Sequence, residues 1–538
     1  MWWSVIAGCQ TDPAPPEAGY RPDVVACPGG PSCPDATGPL EAGAGRASIV
    51  PACFETWTDT DVNAEYSPST DSFADCGCNR VCGDGDAGDG DGVFQASWIA
   101  GFGSGRAATG VREGDGLWAR ALVLRQGSTA VGIVVLDLVG WFYDDALATR
   151  ARVAEDLPEL DHLVVLSTHV HQGPDTMGLW GPYIGASGVD PAYLAQVREA
   201  VAVAVGEAWT NAEPAELALG SVEVDAANLI SDTRDPGVVD SRLNVAAFTA
   251  TDDGAMLATL VNFGNHPETR GSDNTLFTSD FVHALRETVE GGVDWGNGSP
   301  QAGVGGTTLY LNAAVGGMMT SLHAPVVDPN GTQWPDSSWE KTDAEGKILG
   351  GYALEALAAA TPAPGGLKVG AQSLRLPVVN RGLQAMQLMG VITRATYDWD
   401  ASKPITDENQ PTIASEVDVL QIGPLQILGV PGELLPEVLV GYDGATLDPE
   451  NPNPPDLSLA PPPPYWRDLA TSEPFWVMGL ANDEIGYLIP PFEFELHPSA
   501  PYIFEAEGDH YEETNSLGPD TVPLLTEAIA PLISWVSP

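Results

Sequence analysis

Three histidines stand where a metal site could form. His169 and His171 lie in the run THVHQGP, directly after a predicted buried strand, and His266 ends a second apolar run just before a proline. Because strand side chains alternate with a period of two, His169 and His171 point to the same side. Two strand ends that each bring a histidine to a loop can share one metal, and imidazole with oxygen donors is a natural Zn²⁺ ligand set. A histidine at a strand end also serves as a plain hydrogen-bonding group, so the spacing alone leaves both interpretations open.

The elements that must position these histidines form one long α/β pattern over residues 94–538. Nearly continuous apolar runs predict buried strands at Thr129–Trp141 and His162–Thr168. Further predicted elements are strands at Leu217–Val224 and Leu257–Phe263 and helices at Asp145–Asp156, Pro191–Trp209, Trp339–Ala360 and Val522–Trp535. The proline-dense stretch Asp448–Pro464 predicts a surface excursion. We therefore expect an α/β fold with a large mixed sheet and flanking helices.

The residues before position 94 have a different composition. All seven cysteines lie at or before Cys82, which is typical of proteins in an oxidising compartment. Cys9 follows small residues and a short apolar run, as in a bacterial lipoprotein cleavage box. No basic residue precedes that run, so an atypical leader with an ordinary cysteine is the alternative. The other six cysteines allow three disulfides of unknown pairing.

These features predict an exported protein, either a bacterial cell-envelope lipoprotein or a secreted one, with membrane contact through a lipid on Cys9 if that residue is lipidated. We expect a signal remnant over 1–9, a flexible Pro/Gly/Asp-rich tether over 10–50 and a Cys- and Asp/Gly-rich segment over 51–93. A disordered, cysteine-containing segment would thus precede the main domain. The alternating Asp/Gly run at 83–92 could wrap carboxylates around Ca²⁺, but its spacing differs from that of an EF-hand, which favours a solvated acidic loop.

The charge balance excludes some partners. Lys and Arg number 22 against 74 Asp and Glu, so the formal net charge is −52. Such a surface repels phosphate backbones and anionic headgroups, which argues against nucleic acid as a partner. We interpret it as adaptation to a salty medium, in which self-repulsion is screened, rather than as a sign of a cationic substrate.

Six short motifs, in the same order along residues 97–537, resemble the neutral ceramidase family. They are DGLWARALVLR at 115–125, THVHQGP at 168–174, NHP at 265–267, TSD at 278–280, VPGE at 430–433, and an ending made of GLAN at 479–482, Tyr487, Tyr511-Glu512 and Leu517-Gly518-Pro519. The shared order carries the resemblance. It implies a zinc-dependent hydrolase that cleaves the amide bond of ceramide or a related N-acyl lipid.

The resemblance also implies roles for individual residues. The ligands of one Zn²⁺ per chain would be His169, His266, Glu433 and Tyr487. His171 would accept a proton from the attacking water, and Tyr511 would donate a hydrogen bond to the developing oxyanion. Without the resemblance, Glu433 would be an acid in the first turn of a helix, and both tyrosines would be core or rim aromatics.

Three features depart from the pattern of the family. Met319 stands where the family has an active-site serine, which excludes a serine nucleophile at that position and predicts a more apolar pocket wall. The arginine of the N-x-N-R motif of the family is also missing, with Arg234 as a stand-in. We expect no C-terminal immunoglobulin-like domain, since the sequence ends soon after Trp535. These departures leave two alternatives: a zinc hydrolase of the same fold with another acyl or ester substrate, and a non-catalytic surface lipoprotein that retains the fold.

Overall fold

The computed structural model of the protein describes residues 21–85, 87–317 and 319–536. The strands are β1 (Val24–Cys27), β2 (Glu41–Ser48), β3 (Trp57–Thr58), β4 (Ser72–Phe73), β5 (Gly110–Val111), β6 (Trp118–Gln126), β7 (Thr129–Leu136), β8 (His162–Ser167), β9 (Glu213–Glu223), β10 (Arg242–Ala250), β11 (Met256–Phe263), β12 (Leu276–Phe277), β13 (Gly292–Val293), β14 (Gln301–Ala302), β15 (Thr307–Asn312), β16 (Thr361–Ala363), β17 (Leu367–Pro377), β18 (Thr412–Ile422), β19 (Leu425–Gly429), β20 (Glu433–Leu434), β21 (Phe475–Met478) and β22 (Tyr487–Leu488).

The helices are α1 (Tyr143–Asp156), α2 (Pro191–Thr210), α3 (Ala226–Leu229), α4 (Phe281–Gly291), α5 (Trp339–Ala358), α6 (Arg381–Leu388), α7 (Pro436–Val440), α8 (Tyr511–Thr514) and α9 (Thr521–Val536). Short 3₁₀ turns lie at Leu457–Leu459, Trp466–Leu469 and Pro491–Glu493. No helix within the described ranges is long and apolar enough to span a membrane.

A large mixed sheet forms the centre of the molecule, with the strand order β15-β11-β10-β9-β2-β6-β7-β8 and with β16 paired to β9. Only β11–β15 and β7–β8 are parallel pairs in this sheet as described. The sheet curls until its edge strands β15 and β8 come into contact. The side-chain amide of Asn312, at the end of β15, donates to the carbonyl oxygen of Thr168 at 2.9 Å. The loops after β8 and β11 therefore meet, although many strands separate them in the sheet.

A smaller sheet, β1-β17-β18-β19-β21, packs against one face of the large sheet. Alternate side chains fill the two sides of each strand, as the period of two requires. On β6, Leu122 and Leu124 enter the core between the sheets, whereas Ala121 and Val123 face the helices on the other side. Burial of this double apolar layer supplies the main stabilisation of the fold.

Helices cover both outer faces. Helices α1 and α2 pack on β6–β8, helices α4 and α5 pack on β10, β11 and β15, and α9 covers the small sheet. A buried, bidentate ion pair joins Arg286 of α4 to Asp137 at the end of β7, at 2.8 and 2.9 Å. This pair ties α4 to the strand that lies beside β8, and so helps to hold the two halves of the site together.

The predicted α/β class with a large mixed sheet and flanking helices is confirmed. The predicted strands correspond to β7, β8, β9 and β11, and the predicted helices correspond to α1, α2, α5 and α9. Boundaries differ by a few residues, and the strand predicted to reach Trp141 ends at Leu136. The stretch Asp448–Pro464 is mostly exposed, as predicted for a surface excursion.

The prediction of a flexible tether over 10–50 is wrong for its described part, 21–50. Strand β1 pairs with β17, and β2 pairs with β6 and β9, so this segment belongs to both sheets. The composition of β2 is linker-like because α2 passes very close to it. A Cβ atom added at Gly43 or Gly45 would lie 2.3 Å from a carbonyl oxygen of α2, so only glycine fits there. The signal remnant predicted at 1–9, with Cys9, lies outside the described residues.

Three disulfides staple the N-terminal segment, and they join Cys27 to Cys33, Cys53 to Cys78 and Cys76 to Cys82. The Asp/Gly loop at 83–92 directly follows Cys82 of the third disulfide. The carboxylate of Asp89 accepts the backbone N–H groups of Gly83 and Gly85, and its pKa is lowered by these bonds. The loop thus uses this carboxylate to hold its own backbone, which favours the acidic-loop interpretation over a Ca²⁺ site.

Candidate metal centre

His169 begins the site at the end of β8. Its backbone has a φ of 67°, a left-handed conformation that is unusual for a residue other than glycine and that often occurs at functional sites. Its Nδ1 atom lies 2.6 Å from the carbonyl oxygen of Val139. If Nδ1 donates to this carbonyl, the neutral ring keeps its lone pair on Nε2, which faces Oε2 of Glu433 at 3.3 Å.

His266 enters from the loop after β11 and is held in the same way. Its Nδ1 atom lies 2.9 Å from the carbonyl oxygen of Met319, and its Nε2 atom lies 3.1 Å from the same Oε2 atom of Glu433. The imidazoles of His169 and His266 are 4.7 Å apart between ring centres. Backbone carbonyls on both Nδ1 atoms are the usual outer partners of metal-bound histidines, because they fix the tautomer and the direction of Nε2.

Glu433 and Tyr487 are brought together by a short parallel strand pair. Glu433 of β20 is directly opposite Tyr487 of β22, and both side chains are buried. Glu433 therefore lies in a strand, and the helix-first-turn alternative is wrong, because α7 begins only at Pro436. Gly432 permits this pairing, since a Cβ atom there would lie 2.4 Å from the carbonyl oxygen of Gly486.

The charges at this centre call for a cation. Burial would raise the pKa of Glu433, but His169 and His266 overcome this and hold it well below the ordinary value. Although burial opposes it, Glu433 also raises the pKa of His266. Two buried Nε2 atoms facing one ionised oxygen need protons or a metal ion between them, because three lone pairs would otherwise repel one another.

The residues present fit a zinc ion. Nitrogen atoms of His169, His171 and His266 lie within 4.8 Å of one another, and Glu433 adds a carboxylate oxygen beside two of them. Two or three imidazoles with one carboxylate form a donor set that suits Zn²⁺. Tyr487 lies opposite Glu433 and lines the same cavity, so its phenol oxygen is the next candidate ligand.

His171 has a partner that the sequence did not suggest. Its Nδ1 atom lies 3.0 Å from Oε2 of Glu268, and both side chains are buried. Burial lowers the pKa of His171 to about 4, although Glu268 acts in the opposite direction. The pKa of Glu268 falls to about 2, because the facing imidazole outweighs the effect of burial. The sequence signal for this residue was its place two positions after His266, in the run His-Pro-Glu.

The histidines open into a cavity of about 100 Å³. One part of its wall is polar and contains His169, His171, Glu433, Tyr487 and Tyr511. Another part is apolar and is made by side chains that pack in one cluster, namely Phe142, Met177, Leu179, Trp180, Leu383 and Ile392. The cavity thus combines an apolar surface with a polar centre, which suits a molecule that has an apolar chain next to a reactive polar group.

Two further residues of the cavity wall have a pKa above that of a free side chain. Partial burial and the nearby Glu433 raise the pKa of Tyr511 to about 12, so its hydroxyl is a hydrogen-bond donor at neutral pH. Burial holds the pKa of Glu484 well above its ordinary value, and Glu433 adds to this effect. One oxygen of Glu484 accepts from the backbone N–H of Gly486 at 2.8 Å. Glu484 was also missed from the sequence, where it is only one acid among 74 acidic residues.

Arg234 does not line the cavity and so is not a direct stand-in for the missing arginine of the family. Its buried guanidinium donates to Glu512 at 2.8 Å and to Glu513 at 2.9 and 3.0 Å. Both acids follow Tyr511 in α8. Arg234 therefore holds the short helix that carries Tyr511 in place.

Met319 also differs from its expected role. Its side chain is buried in the core cluster beneath α4 and α5 and is not part of the cavity wall, so the expectation of a more apolar pocket wall there is wrong. What Met319 contributes to the site is its carbonyl oxygen, which accepts from His266. The Thr-Ser-Asp motif is structural as well: Thr278 and Ser279 hydrogen-bond to Asp115, and Asp280 caps α4.

Comparison with solved structures agrees with this architecture. No protein-family model and no curated protein matches the chain. The crystal structure of neutral ceramidase from Pseudomonas aeruginosa matches with a TM-score of 0.58 and 14% sequence identity, over 92% of this chain and 74% of that one. A ceramidase complexed with C2 matches with a TM-score of 0.57 and 14% identity, over 92% of this chain and 75% of that one. The expected resemblance is thereby confirmed at the level of the fold: this chain has a neutral ceramidase-like fold.

Proposed function

We propose that this chain is a zinc-dependent amidohydrolase that cleaves the amide bond of ceramide or a related N-acyl lipid. The observation that carries the proposal is the meeting of His169 and His266 on one oxygen of Glu433, at the polar end of an apolar cavity. The ceramidase-like fold supports it. So does the way in which strands from distant parts of this chain bring His169, His266 and Glu433 together.

The residues that would hold one Zn²⁺ are His169, His266, Glu433 and Tyr487. When bound, the ion supplies a Lewis acid that polarises the scissile carbonyl and lowers the pKa of water from 15.7 to about 7. The carbonyl oxygens of Val139 and Met319 orient the two imidazoles for this purpose. Such outer partners matter, because their loss typically weakens metal binding about 10- to 100-fold.

Two residues would act on the substrate. His171 lines the cavity, and its Nε2 atom has no hydrogen-bond partner among the residues described, so it is free to take a proton from the attacking water. It can return that proton to the leaving amine when the carbon–nitrogen bond breaks. Tyr511, protonated at neutral pH, donates to the oxyanion that the carbonyl oxygen becomes when water attacks the carbonyl carbon.

The apolar half of the cavity supports an acyl chain or another hydrocarbon group as part of the substrate. Phe142, Trp180 and Ile392 would contact that chain, and burial of each methylene would contribute about 0.8 kcal/mol. The polar half receives the amide. A hydrolase for a purely polar substrate would have little use for this wall.

A second candidate is a zinc hydrolase of the same fold that acts on a different acyl or ester substrate. The observation in its favour is that neither Met319 nor Arg234 lines the cavity, so two groups that the family pattern places at its site are missing here. A non-catalytic surface lipoprotein that retains the fold is the third, and the intact set of candidate ligands argues against it.

A substrate panel separates these candidates. The purified protein, loaded with zinc, is assayed on ceramides of several chain lengths, on simple N-acyl amides and on matched esters, with His169→Ala as the control. Release of fatty acid from ceramide or N-acyl lipid supports the first proposal, and release from esters alone supports the second. No hydrolysis of any member by the zinc-loaded protein leaves only the third.

We further propose that the protein is exported. Three disulfides support this, because such bonds persist in oxidising compartments. A lipid on Cys9 would anchor the protein to a membrane. Mass spectrometry of the N-terminal peptide from the native host tests this directly, and an unmodified Cys9 peptide would exclude the anchor.

A further inference from the structure

Glu268 lies beside His171, the residue proposed to accept a proton from the attacking water. Oε2 of Glu268 lies 3.0 Å from Nδ1 of His171. Both residues are buried, and Thr320 also hydrogen-bonds to the Glu268 carboxylate. A buried carboxylate has a large effect on a neighbouring imidazole, because little solvent screens their interaction.

The backbone holds this pair in place. The N–H of His171 donates to the carbonyl oxygen of Pro267 at 3.2 Å, so the two loops that carry the pair are joined beside it. Arg106, itself buried, donates to the carbonyl oxygen of His171 at 2.9 Å. A Cβ atom at Gly101 would lie 2.3 Å from the Cβ of His171, so glycine is required there for His171 to occupy its position.

The contacts of His171 differ from those of the other two histidines. His169 and His266 each present Nδ1 to a backbone carbonyl and Nε2 to Glu433. His171 instead has its Nδ1 atom 3.0 Å from a carboxylate oxygen of Glu268, and neither of its ring nitrogens makes a hydrogen bond of standard geometry within the described ranges. When Nε2 of an imidazole accepts a proton, an ionised carboxylate beside Nδ1 stabilises the imidazolium that forms.

We propose that Glu268 is a positioning residue for His171: its carboxylate holds the Nδ1–H, fixes the tautomer with the lone pair on Nε2 and keeps Nε2 directed into the cavity. The catalytic part of this inference rests on the proposed function. During hydrolysis the proton moves from the attacking water to Nε2 as the carbon–oxygen bond forms. It then moves from Nε2 to the amine nitrogen as the carbon–nitrogen bond breaks, and Glu268 remains ionised throughout.

The test compares Glu268→Gln and Glu268→Asp with the wild type and with Glu287→Gln, which removes one charge from the exposed side of α4. The zinc content, melting temperature, kcat and KM on the best substrate of the panel are measured for each. We expect Glu268→Gln to retain zinc and to lose about 10²-fold or more in kcat with little change in KM. Glu268→Asp should recover part of this loss, and Glu287→Gln should match the wild type.

A second readout does not depend on activity. The ¹⁵N shifts of the imidazole nitrogens in histidine-labelled protein report the tautomer of His171, with His171→Asn to assign its signals. The inference predicts a changed tautomer pattern for His171 alone in Glu268→Gln. An unchanged pattern, or a kcat equal to that of Glu287→Gln, would overturn it. Loss of zinc together with activity would also overturn it, since His171 would then be a ligand.

Failure of the proposed function can be distinguished from failure of the role proposed for Glu268. If the wild type hydrolyses nothing in the panel, the proposed function fails, and the ¹⁵N pattern alone decides whether Glu268 positions His171. If Glu268→Gln does not fold, Glu268→Asp decides instead: a kcat and a tautomer pattern equal to those of the wild type would contradict a role that depends on the place of the carboxylate.

Discussion

At the scale of single residues, Glu433 is the group that gives the site its charge. Two buried imidazoles face one of its oxygens, and their Nδ1 atoms are held by carbonyls of the loops after β7 and β15. Among the described residues of the cavity wall, no other group of polar side chains comes together in this way. The site therefore depends on a few atoms whose directions are set by backbone groups.

Removal of one imidazole should abolish both metal binding and activity. In His169→Ala the remaining His266, Glu433 and Tyr487 include only one imidazole, which is too few strong donors for tight binding of zinc. We expect the zinc content to fall by at least 10-fold and hydrolysis to fall by about 10³-fold or more. Metal analysis beside the fatty-acid assay measures both, and full activity in a zinc-free variant would contradict the assignment.

Tyr511 should matter for rate rather than for metal content. A single oxyanion donor contributes about 10²- to 10³-fold to kcat in comparable sites. We expect Tyr511→Phe to lose roughly that factor and to retain its zinc, because the phenyl ring keeps the packing. The variant's kcat and zinc content are the measurements, and an unchanged kcat would remove Tyr511 from the mechanism.

Only some residues of the site could be predicted from the sequence. His169, His171 and His266 were suggested by their place at strand ends, and they do come together. Glu433, Tyr487 and Tyr511 required the family resemblance, because an acid or a tyrosine carries no spacing signal of its own. Glu268 and Glu484 were missed, since a buried acid cannot be distinguished in sequence from the exposed acids of so acidic a chain.

At the scale of elements, the close contact of β2 with α2 is the feature that the composition obscured. Gly45 should not tolerate a side chain, since a Cβ atom there would lie 2.3 Å from a backbone oxygen. We expect Gly45→Ala to reduce the free energy of unfolding by about 1–3 kcal/mol. In Gly206→Ala, where a Cβ atom meets nothing within 4 Å in mid-helix, a gain of about 0.5–1 kcal/mol is expected. Urea denaturation of both variants measures this, and equal effects would contradict the packing.

Strand β18 contains a buried acid that should make stability depend on pH. Burial, followed by Glu416, raises the pKa of Asp418 to about 7, against about 3.9 in an unfolded chain. Between these values the folded protein keeps a proton that the unfolded chain releases. The contribution of Asp418 to the free energy of unfolding therefore falls as pH rises from about 4 to about 7 and is constant above that.

Asp418→Asn tests this dependence, because it keeps an acceptor for the amide of Asn482. We expect the free energy of unfolding, measured with urea, to fall less steeply with pH in the variant than in the wild type between pH 5 and pH 7. Above about pH 8 the two proteins should have the same slope. Parallel profiles for the two proteins would show that Asp418 is ionised in the fold.

The elements themselves were largely predictable, for a physical reason. Strands buried on both faces, such as β7 and β8, read as continuous apolar runs, and α2 carries a capping Asp190 before a proline. The pairing of these elements was not predictable. Nothing local to β8 or β15 reveals that the sheet curls until its two edges meet, although the site depends on it.

At the scale of the whole molecule, the net charge of −52 is the dominant property. Most of the 22 basic residues form ion pairs with acids of the same chain, some of them buried, such as Arg286 with Asp137 and Arg234 with Glu512 and Glu513. Most of the acids therefore remain on the surface with like-charged neighbours. Self-repulsion of this kind destabilises a compact state, and salt screens it within about 10 Å at 0.1 M.

We accordingly expect the melting temperature to rise with sodium chloride from low salt to about 1 M, because repulsion between the surface acids is progressively screened. Calorimetry at several salt concentrations measures this, with a neutral osmolyte as the control for general effects of cosolutes. A melting temperature that falls with salt would mean that attractive ion pairs, rather than repulsion, control the stability.

The central claim is that His169, His266, Glu433 and Tyr487 hold one catalytic zinc. The most direct measurement is the metal content of the purified full chain and of the double variant His169→Ala/His266→Ala, after incubation with zinc and removal of the excess. We expect about one zinc per chain in the wild type and almost none in the double variant. A wild-type content far below one after added zinc, or an equal content in both proteins, would contradict it.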